Sequence, residues 1–288
     1  PVSLNGTRSL SRASWTLTPT PQAAHALNVG LHLAVVALLG ASAWRLGYSK
    51  AGVGLVTLLG AVHPLTVESV AYAAVRNELM AALGVLFAVW CAAGRWWKPW
   101  LILGILAGTV FGMLSKESAV VVGGLVPLTI LVRSRKDTPR GAVGYGIATA
   151  FALALAAIAW DGRELRTIIN IGELGRNPEE YMHWDQWALL QSAAAFRLVG
   201  LTIWPGGLTV DPDIDLIPVA FRWVALGGLI GIGCVAWAVR RRPLVAYGLA
   251  GCLICIIPRL LVQTPRGYLN DHQWRMMLMY LILTGVAW

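Results

Sequence analysis

The sequence has little charge, because only 13% of its 288 residues are Asp, Glu, Lys or Arg. A typical soluble domain carries about 25%. This shortage, together with a mean hydropathy of +0.65, excludes a soluble globular protein, a disordered chain and a coiled coil. Acidic residues are scarcer than basic ones. The sequence has 14 Asp and Glu and 23 Lys and Arg, which gives a formal net charge of +9. Whether that excess indicates nucleic-acid binding depends on where the cations lie.

Cysteine is scarce as well, and none has a His or a carboxylate at metal-ligand spacing. A CxxC pair occurs within one apolar run, but a thiolate in hydrocarbon is costly, so we expect packing residues and no redox chemistry. The sequence also lacks a Walker A string, a GxGxxG turn, HExxH and GxSxG, which leaves the common soluble enzyme classes without support. The four cysteines are Cys91, Cys234, Cys252 and Cys255.

Long apolar runs dominate what is present, and 57% of the residues are hydrophobic. A spanning helix needs about 20 apolar residues, and 14 Trp with 31 Gly are typical of polytopic helical membrane proteins. We predict an all-α fold, a polytopic membrane helix bundle of about nine spans that forms a single transmembrane domain over residues 1–288. The predicted spans are 24–46, 50–63, 78–94, 99–114, 117–132, 142–160, 221–239, 243–262 and 275–288.

Cations cluster after several of these spans, in the strings RLGYSK, GRWWKP, RSRKDTPR and RRRP. The clusters hold eleven cations and the single anion Asp137, so the positive-inside rule places them in the cytoplasm. The other twelve cations and thirteen anions then fall on the outer side. The basicity is therefore an orientation signal and predicts no nucleic-acid partner. The outer side also receives all five histidines, His25, His32, His63, His183 and His272.

One apolar segment, residues 187–205, conflicts with a simple count of spans. If WALLQSAAAFRLVGLTIWP crossed the membrane, the RRRP cluster would move to the outer side. We therefore predict a re-entrant or interfacial helix, with Arg197 at the interface or lining a cavity. It belongs to residues 161–220, a long outer loop of a kind that usually covers a functional cavity.

The string HALNVGLH is the first of several polar groups on the outer side. His25, Asn28 and His32 are spaced three and four apart, so they share one face of a helix. Hydrogen bonding between helices explains this spacing, and a weak metal site is the alternative.

The string AVHPLTVESVAYAAVRNEL carries the densest group. Glu68, Tyr72 and Arg76 follow at intervals of four, which predicts a carboxylate, a phenol and a guanidinium on one helix face. Ionisable residues at membrane depth usually serve a site, although a salt-bridged loop is the alternative. The same string also contains His63, Asn77 and Glu78.

The string MLSKESAV predicts a tight hairpin between two apolar helices. Ser115 could cap the second helix, and its N-terminal N–H groups with Lys116 would form a phosphate site beside Glu117. A plain hairpin turn is the alternative.

Two later strings add carboxylates and cations. DPDID places Asp211, Asp213 and Asp215 in alternation, which favours Mg²⁺, Mn²⁺ or Ca²⁺ if it is more than a solvated loop. RGYLNDHQWR provides Arg266 and Arg275, which could bind a phosphate bidentately or simply anchor the last span.

In order along the chain, five strings resemble the GT-C membrane glycosyltransferases, specifically the transmembrane-and-TPR branch related to protein O-mannosyltransferases. The resemblance is collinear over about residues 25–288. The strings are HALNVGLH, AVHPLTVESVAYAAVRNELM, MLSKESAVVVGGLVP, FRLVGLTIWPGGLTVDPDI and DHQWRMMLMYLILTG.

The resemblance implies a polyprenyl-phosphate-linked sugar donor, a site facing the periplasm or lumen, and transfer to a protein or lipid-linked acceptor, often a Ser/Thr hydroxyl. A bacterial inner membrane is the expected location, with membrane lipid around the chain. Glu68 would support a divalent metal or the acceptor. The donor phosphate would be contacted by Arg76, Lys116, Arg266 and Arg275. The cavity would be lined by His25, Asn28, His32, His63, Asn77, Glu78 and Glu117.

The family's acidic catalytic residue lies in a first outer loop, after a first transmembrane helix. This chain begins downstream of both and ends inside an apolar run, so we expect a fragment that also lacks the TPR repeats. The catalytic residue is therefore unknown, with Glu68 as the candidate. The alternative function is a catalytically inactive relative that acts as a structural subunit among other membrane subunits. A transporter is less favoured, because no inverted halves are visible.

Overall fold

The structure is a computed structural model, and it describes residues 9–72, 75–94, 98–134, 146, 184–206, 208, 218–261 and 275–288. Within these helices, six residues are described by their backbone alone: Val67, Glu68, Ser134, Trp184, Leu261 and Arg275. The predicted span 142–160 and most of the predicted loop 161–220 therefore lie outside the described residues.

Every regular element in the described ranges is a helix. Two short 3₁₀ turns, Pro64–Thr66 and Glu117–Val121, follow α3 and α6. The α-helices are α1 (Ser9–Thr16), α2 (Pro21–Leu46), α3 (Lys50–Val62), α4 (Val67–Ala71), α5 (Arg76–Ala92), α6 (Pro99–Ser115), α7 (Val122–Ser134), α8 (Trp184–Ile203), α9 (Val219–Ala238), α10 (Pro243–Leu261) and α11 (Arg275–Ala287).

Three of these helices are long and apolar enough to cross a membrane: α2, α9 and the first 18 residues of α10. A fourth span results if α3 and the segment Pro64–Ala71 count as one span bent by 53°. Helices α6 and α11 are apolar but shorter. The protein is therefore an integral membrane helix bundle, and the total of nine spans stays a prediction.

Local sequence signals fix the turn between α2 and α3. Thr20 caps α2 by accepting the N–H of Ala23, and Ser49 caps α3 in the same way. Gly47 ends α2 in the left-handed region, with φ of 98°, and Tyr48 N–H reaches back to the carbonyl of Ala43 at 3.1 Å. A backbone with positive φ at the end of a helix favours glycine, because glycine has no Cβ that would clash in this conformation. The turn is therefore encoded by its own residues.

Glycines bring α5 and α6 into close contact. A Cβ added to Gly84 would lie 2.6 Å from the carbonyl oxygen of Gly108 and 2.6 Å from the nitrogen of Gly112. The two backbones therefore touch, which only residues without side chains allow. This pair holds the beginning of α5 beside the end of α6, where two of the polar strings meet.

The cationic turns share one end of the bundle, which we call the Arg45 end. Arg45 donates to the carbonyl of Trp90 near the end of α5, and Tyr48 donates to the carbonyl of Leu283 near the end of α11. Burial raises the pKa of the Tyr48 phenol, so it stays a donor. Other described cations in turns or last helical turns at this end are Lys50, Lys98, Arg133, Arg240, Arg241 and Arg242.

Helix α8 contacts the opposite end of the bundle at two points. Near its beginning, Trp187 donates its indole N–H to the carbonyl of Arg259, 2.9 Å away at the end of α10. Near its end, the carbonyl of Thr202 accepts from His63 at 3.1 Å, just after α3. We call this the His63 end. Phe196, near the middle of α8, packs against Gly228, near the middle of α9. The re-entrant or interfacial course of α8 therefore stays a prediction.

Candidate functional site

The His63 end brings together residues from the first three polar strings. Helix α2 contributes Asn28, α5 begins with Arg76 and carries Glu78 in its first turn, and α6 is followed directly by Lys116. All of these side chains are buried or nearly so. Residues far apart in sequence thus form one polar layer among apolar helices.

Arg76 lies at the centre of a hydrogen-bond network and is fully buried. Its Nε donates to Asn28 Oδ1 at 3.0 Å, and Nη2 donates to the carbonyl of Ala24 at 3.3 Å. Nη1 is shared among the carbonyl and hydroxyl oxygens of Ser14, both at 3.1 Å, and Thr18 Oγ1 at 3.0 Å. One guanidinium therefore joins α1, α2 and the chain between them to α5.

All five of these acceptors are neutral oxygens. The positive charge of Arg76 is therefore stabilised by the dipoles of carbonyl, amide and hydroxyl groups and by no carboxylate among these bonds. The ring of Trp15 adds a cation–π contact, with its centroid 4.4 Å from the guanidinium carbon. An oxygen of a donor phosphate would have to replace these acceptors, most of which come from α1 and the segment after it. The predicted phosphate contact of Arg76 stays a prediction, and it requires α1 to move.

Glu78 and Lys116 form a buried ion pair. Lys116 Nζ donates to Glu78 Oε1, and the two side chains are 12% and 4% exposed, in that order. In a low-dielectric interior each charge compensates the other, and neither tolerates the loss of its partner. Asn77, one residue earlier, accepts the backbone N–H of Glu78 through Oδ1 at 3.0 Å. The predicted phosphate ligand Lys116 is thus bound to a carboxylate of the same layer.

Arg259 extends this layer from α10, and the sequence interpretation did not single it out. It lies within electrostatic reach of both Glu78 and Glu117. Two carboxylates and two cations from three parts of the chain therefore lie near one another at the His63 end. The signal was present, because Arg259 interrupts the apolar run CLICIIPRLL directly after Pro258.

The predicted capping role of Ser115 is wrong. Its hydroxyl donates to the carbonyl of Phe111, four residues back in α6, at 2.7 Å. Lys116 occupies the cap position before the 3₁₀ turn and makes no side-chain capping bond. In an apolar helix the nearest acceptor for a hydroxyl is the carbonyl one turn earlier, and Ser115 uses it.

The expected single helix face with Glu68, Tyr72 and Arg76 is also wrong. The helix that carries Glu68 ends at Ala71, and a new helix begins at Arg76. Tyr72 is 56% exposed whereas Arg76 is fully buried, so the two side chains do not share a surface. The side chain of Glu68 lies outside the described residues, so its place as the candidate catalytic residue stays a prediction.

The histidines of this end have different surroundings. His63 accepts the N–H of Leu65 at Nδ1 and, since a carbonyl can only accept, donates from Nε2 to Thr202. His32 likewise meets the carbonyl of Ala61 at 3.1 Å. His25 is exposed on the same helix. Both nitrogens of His63 are thus used by backbone, which leaves that ring a structural role.

The structure says less about the predicted metal ligands and about the two predicted phosphate ligands near the end of the chain. In the described part of the chain, no group of three His, Cys, Asp or Glu residues is arranged to hold a metal ion. Arg275 begins α11, described by its backbone alone. The remaining predicted ligands lie outside the described residues: Arg266, Asp211, Asp213 and Asp215.

Gln191 is a further polar residue that the sequence interpretation missed. It is fully buried in α8, and neither atom of its carboxamide has a hydrogen-bond partner among the described residues. It follows Trp187 by four residues and so shares its helix face. A buried carboxamide without partners is unfavourable by about 1–3 kcal/mol, which marks this position as one that a polar group could satisfy.

Comparisons with known proteins add no relative to this description. No protein-family model, no curated protein and no solved structure matches the chain. The resemblance to the GT-C enzymes therefore rests on the sequence strings, and the site rests on the contacts at the His63 end.

Proposed function

We propose that the chain is the membrane core of a GT-C-type glycosyltransferase that uses a polyprenyl-phosphate-linked sugar. The observation that carries the proposal is the convergence at the His63 end of residues from the first three collinear strings, Asn28, Arg76, Glu78 and Lys116. These strings are separated in sequence but meet in one buried polar layer. A bacterial inner membrane, with this layer toward the periplasm, fits the cations at the Arg45 end.

The reaction needs three kinds of group. An acceptor hydroxyl, most simply a protein Ser or Thr, loses its proton to a carboxylate, for which Glu68 is the candidate, as its oxygen bonds to the sugar's anomeric carbon. The bond from that carbon to the phosphate oxygen breaks, and polyprenyl phosphate leaves with the electron pair. Cations stabilise the departing charge, and here they are Arg76, Lys116, Arg266 and Arg275.

A divalent metal is the cofactor that the carboxylates would suit. Asp211, Asp213 and Asp215 supply the oxygen ligands that Mg²⁺ and Mn²⁺ prefer. When bound near the donor, such a metal would share the charge of the phosphate. No step of the proposed transfer depends on it.

The proposal is tested with the full-length protein in membranes and a radiolabelled polyprenyl-phosphate mannose as donor. We expect Glu68→Gln to reduce transfer at least about a hundredfold, as the loss of a general base does, and Lys116→Met to reduce it as well. Asp185→Asn, an exposed carboxylate at the start of α8, is the matched control and should leave transfer unchanged. Unchanged transfer in both site variants would show that these residues are not the site.

A second function, a catalytically inactive relative acting as a structural subunit, is favoured by one observation. Each nitrogen of the Arg76 guanidinium donates to a protein oxygen and Lys116 is paired with Glu78, so these two proposed phosphate ligands already have protein partners. This function predicts no transfer from any polyprenyl-phosphate sugar by the wild-type protein. It also predicts that gentle purification yields other membrane subunits in fixed stoichiometry.

A further inference from the structure

A groove of about 490 Å³ lies between α2, α3 and α5, toward the Arg45 end and away from the polar layer. Its volume falls within the range of about 300–1,000 Å³ that is usual for small-molecule sites. The groove is open along one side, where helix surfaces of this bundle face lipid. Nothing in the proposed sugar transfer uses it.

Small residues form one wall of the groove. Ala37, Gly40 and Ala41 are spaced three and one apart on α2, so they present a smooth surface about one turn long. Val53 and Thr57 of α3 form the facing wall, and the Thr57 hydroxyl is satisfied by the Val53 carbonyl at 2.8 Å. A Cβ on Gly40 would clash with Thr57 Oγ1, so the two walls meet there and form the base of the groove. The side chains beside this contact, Ala37, Ala41 and Val53, are apolar.

A fixed cation closes the end of the groove. Arg45 Nη1 donates to the carbonyl of Trp90 at 2.8 Å, and its guanidinium carbon lies 3.5 Å from the centroid of that ring. Trp44, beside it, is 56% exposed. Arginine with tryptophan at the end of a membrane helix is typical of the lipid–water interface. Lys50 begins α3 across the same short turn and is a second cation at this end, although it does not line the groove.

We propose that this groove binds one acidic phospholipid from the leaflet at the Arg45 end. One acyl chain lies along the wall of Ala37 and Ala41, and the phosphate of the headgroup lies at Arg45 and Lys50. The choice of an acidic lipid follows from charge complementarity, because Arg45 lines the groove and further described cations, among them Lys50 and Arg242, lie at this end of the bundle. A zwitterionic lipid fits the same walls but gains no net attraction from that charge.

The test uses the full chain purified in detergent and native mass spectrometry. The probes are phosphatidylglycerol and phosphatidylethanolamine with identical acyl chains. We expect the wild-type protein to retain one phosphatidylglycerol in preference, and Arg45→Gln to lower that preference about fivefold, the effect of one interfacial cation. Arg45→Lys should keep most of it. Ala41→Leu, which fills the groove, should reduce retention of both lipids.

Arg240→Gln is the matched control. Arg240 also donates to the carbonyl of a tryptophan, Trp237, and lies 4.9 Å from its ring, at the same end of the bundle but outside the groove. This variant should keep the wild-type preference. Equal retention of the two lipids by the wild type would overturn the proposal, and so would an equal loss in the Arg45 and Arg240 variants. If Arg45→Gln does not fold, an unchanged retention in Ala41→Leu is sufficient to overturn it.

Discussion

At the scale of single residues, the fully buried Arg76 is the most demanding group in the protein. Removing its guanidinium leaves several buried acceptors without this donor, among them Asn28 Oδ1 and the hydroxyl oxygens of Ser14 and Thr18. Each such acceptor contributes about 1–3 kcal/mol of destabilisation. We expect Arg76→Met to lower the free energy of unfolding by at least about 3 kcal/mol, measured by denaturant titration in detergent. Arg241→Met, at an exposed turn, should change it by less than about 0.5 kcal/mol.

The ion pair of Glu78 with Lys116 makes a different prediction at this scale. Either single variant, Glu78→Gln or Lys116→Met, leaves a buried charge without its partner and should destabilise the protein by about 3–5 kcal/mol. The double variant removes both charges, so it should be more stable than the sum of the two single losses implies. A double-mutant cycle on thermal unfolding measures this coupling. A coupling of zero would mean that the two side chains do not stabilise each other, which would contradict the ion pair.

Gln191 tests whether the buried face of α8 receives a polar ligand. Without a partner, its carboxamide opposes folding, so Gln191→Met should preserve or raise the melting temperature of the purified protein. If a sugar hydroxyl satisfies the carboxamide during transfer, the same variant should also lose activity. A fall in melting temperature would instead show that Gln191 is already satisfied in the fold.

The residues of the candidate site were easier to predict than their partners. Charges in apolar surroundings are conspicuous in a sequence, and this singled out Arg76, Glu78 and Lys116. The spacing argument that placed Arg76 on one face with Glu68 and Tyr72 was wrong. The acceptors of Arg76 come largely from Ser14 and Thr18, hydroxyl residues in a polar segment with no motif. Such acceptors cannot be distinguished from ordinary surface residues until the chain is folded.

At the scale of helices, the predicted spans 24–46 and 50–63 end and begin where α2 and α3 do, at Leu46 and Lys50. The caps Thr20 and Ser49 were not singled out in the sequence, although they act within one turn of the backbone. The break between Ala71 and Arg76 was not predicted, because no proline or glycine marks it. That boundary is set by tertiary contacts, since Arg76 is held by bonds to α1 and α2.

The contact of α5 with α6 gives a prediction at the same scale. Gly84→Ala places a methyl group against the backbone of Gly108, where nothing can move aside cheaply. We expect this variant to separate the helices and to lower the melting temperature by several degrees, since overpacking costs about 1–3 kcal/mol. Gly54→Ala in α3 meets no atom within 4 Å. It should be neutral or stabilising, because alanine favours a helix over glycine.

At the scale of the whole molecule, the unequal distribution of charge is the organising feature. Cations in turns or last helical turns mark the Arg45 end, whereas the His63 end holds charges of both signs in a buried layer. The interpretation of the net charge of +9 as an orientation signal stays a prediction. It implies that α8 begins and finishes on one side of the membrane, and the contacts of α8 with the ends of α10 and α3 are consistent with that expectation.

Labelling of single cysteines in sealed membrane vesicles tests that arrangement. Asp185 and Leu208 flank α8 and are exposed, so Asp185→Cys and Leu208→Cys should react with an impermeant maleimide from the same side. Lys50→Cys and Arg241→Cys, at the Arg45 end, should react only from the other side. The background needs Cys234→Ala, because Cys91, Cys252 and Cys255 are buried and Cys234 is exposed. If the two sites flanking α8 react from opposite sides, α8 crosses the membrane and the positive-inside assignment of the RRRP cluster is wrong.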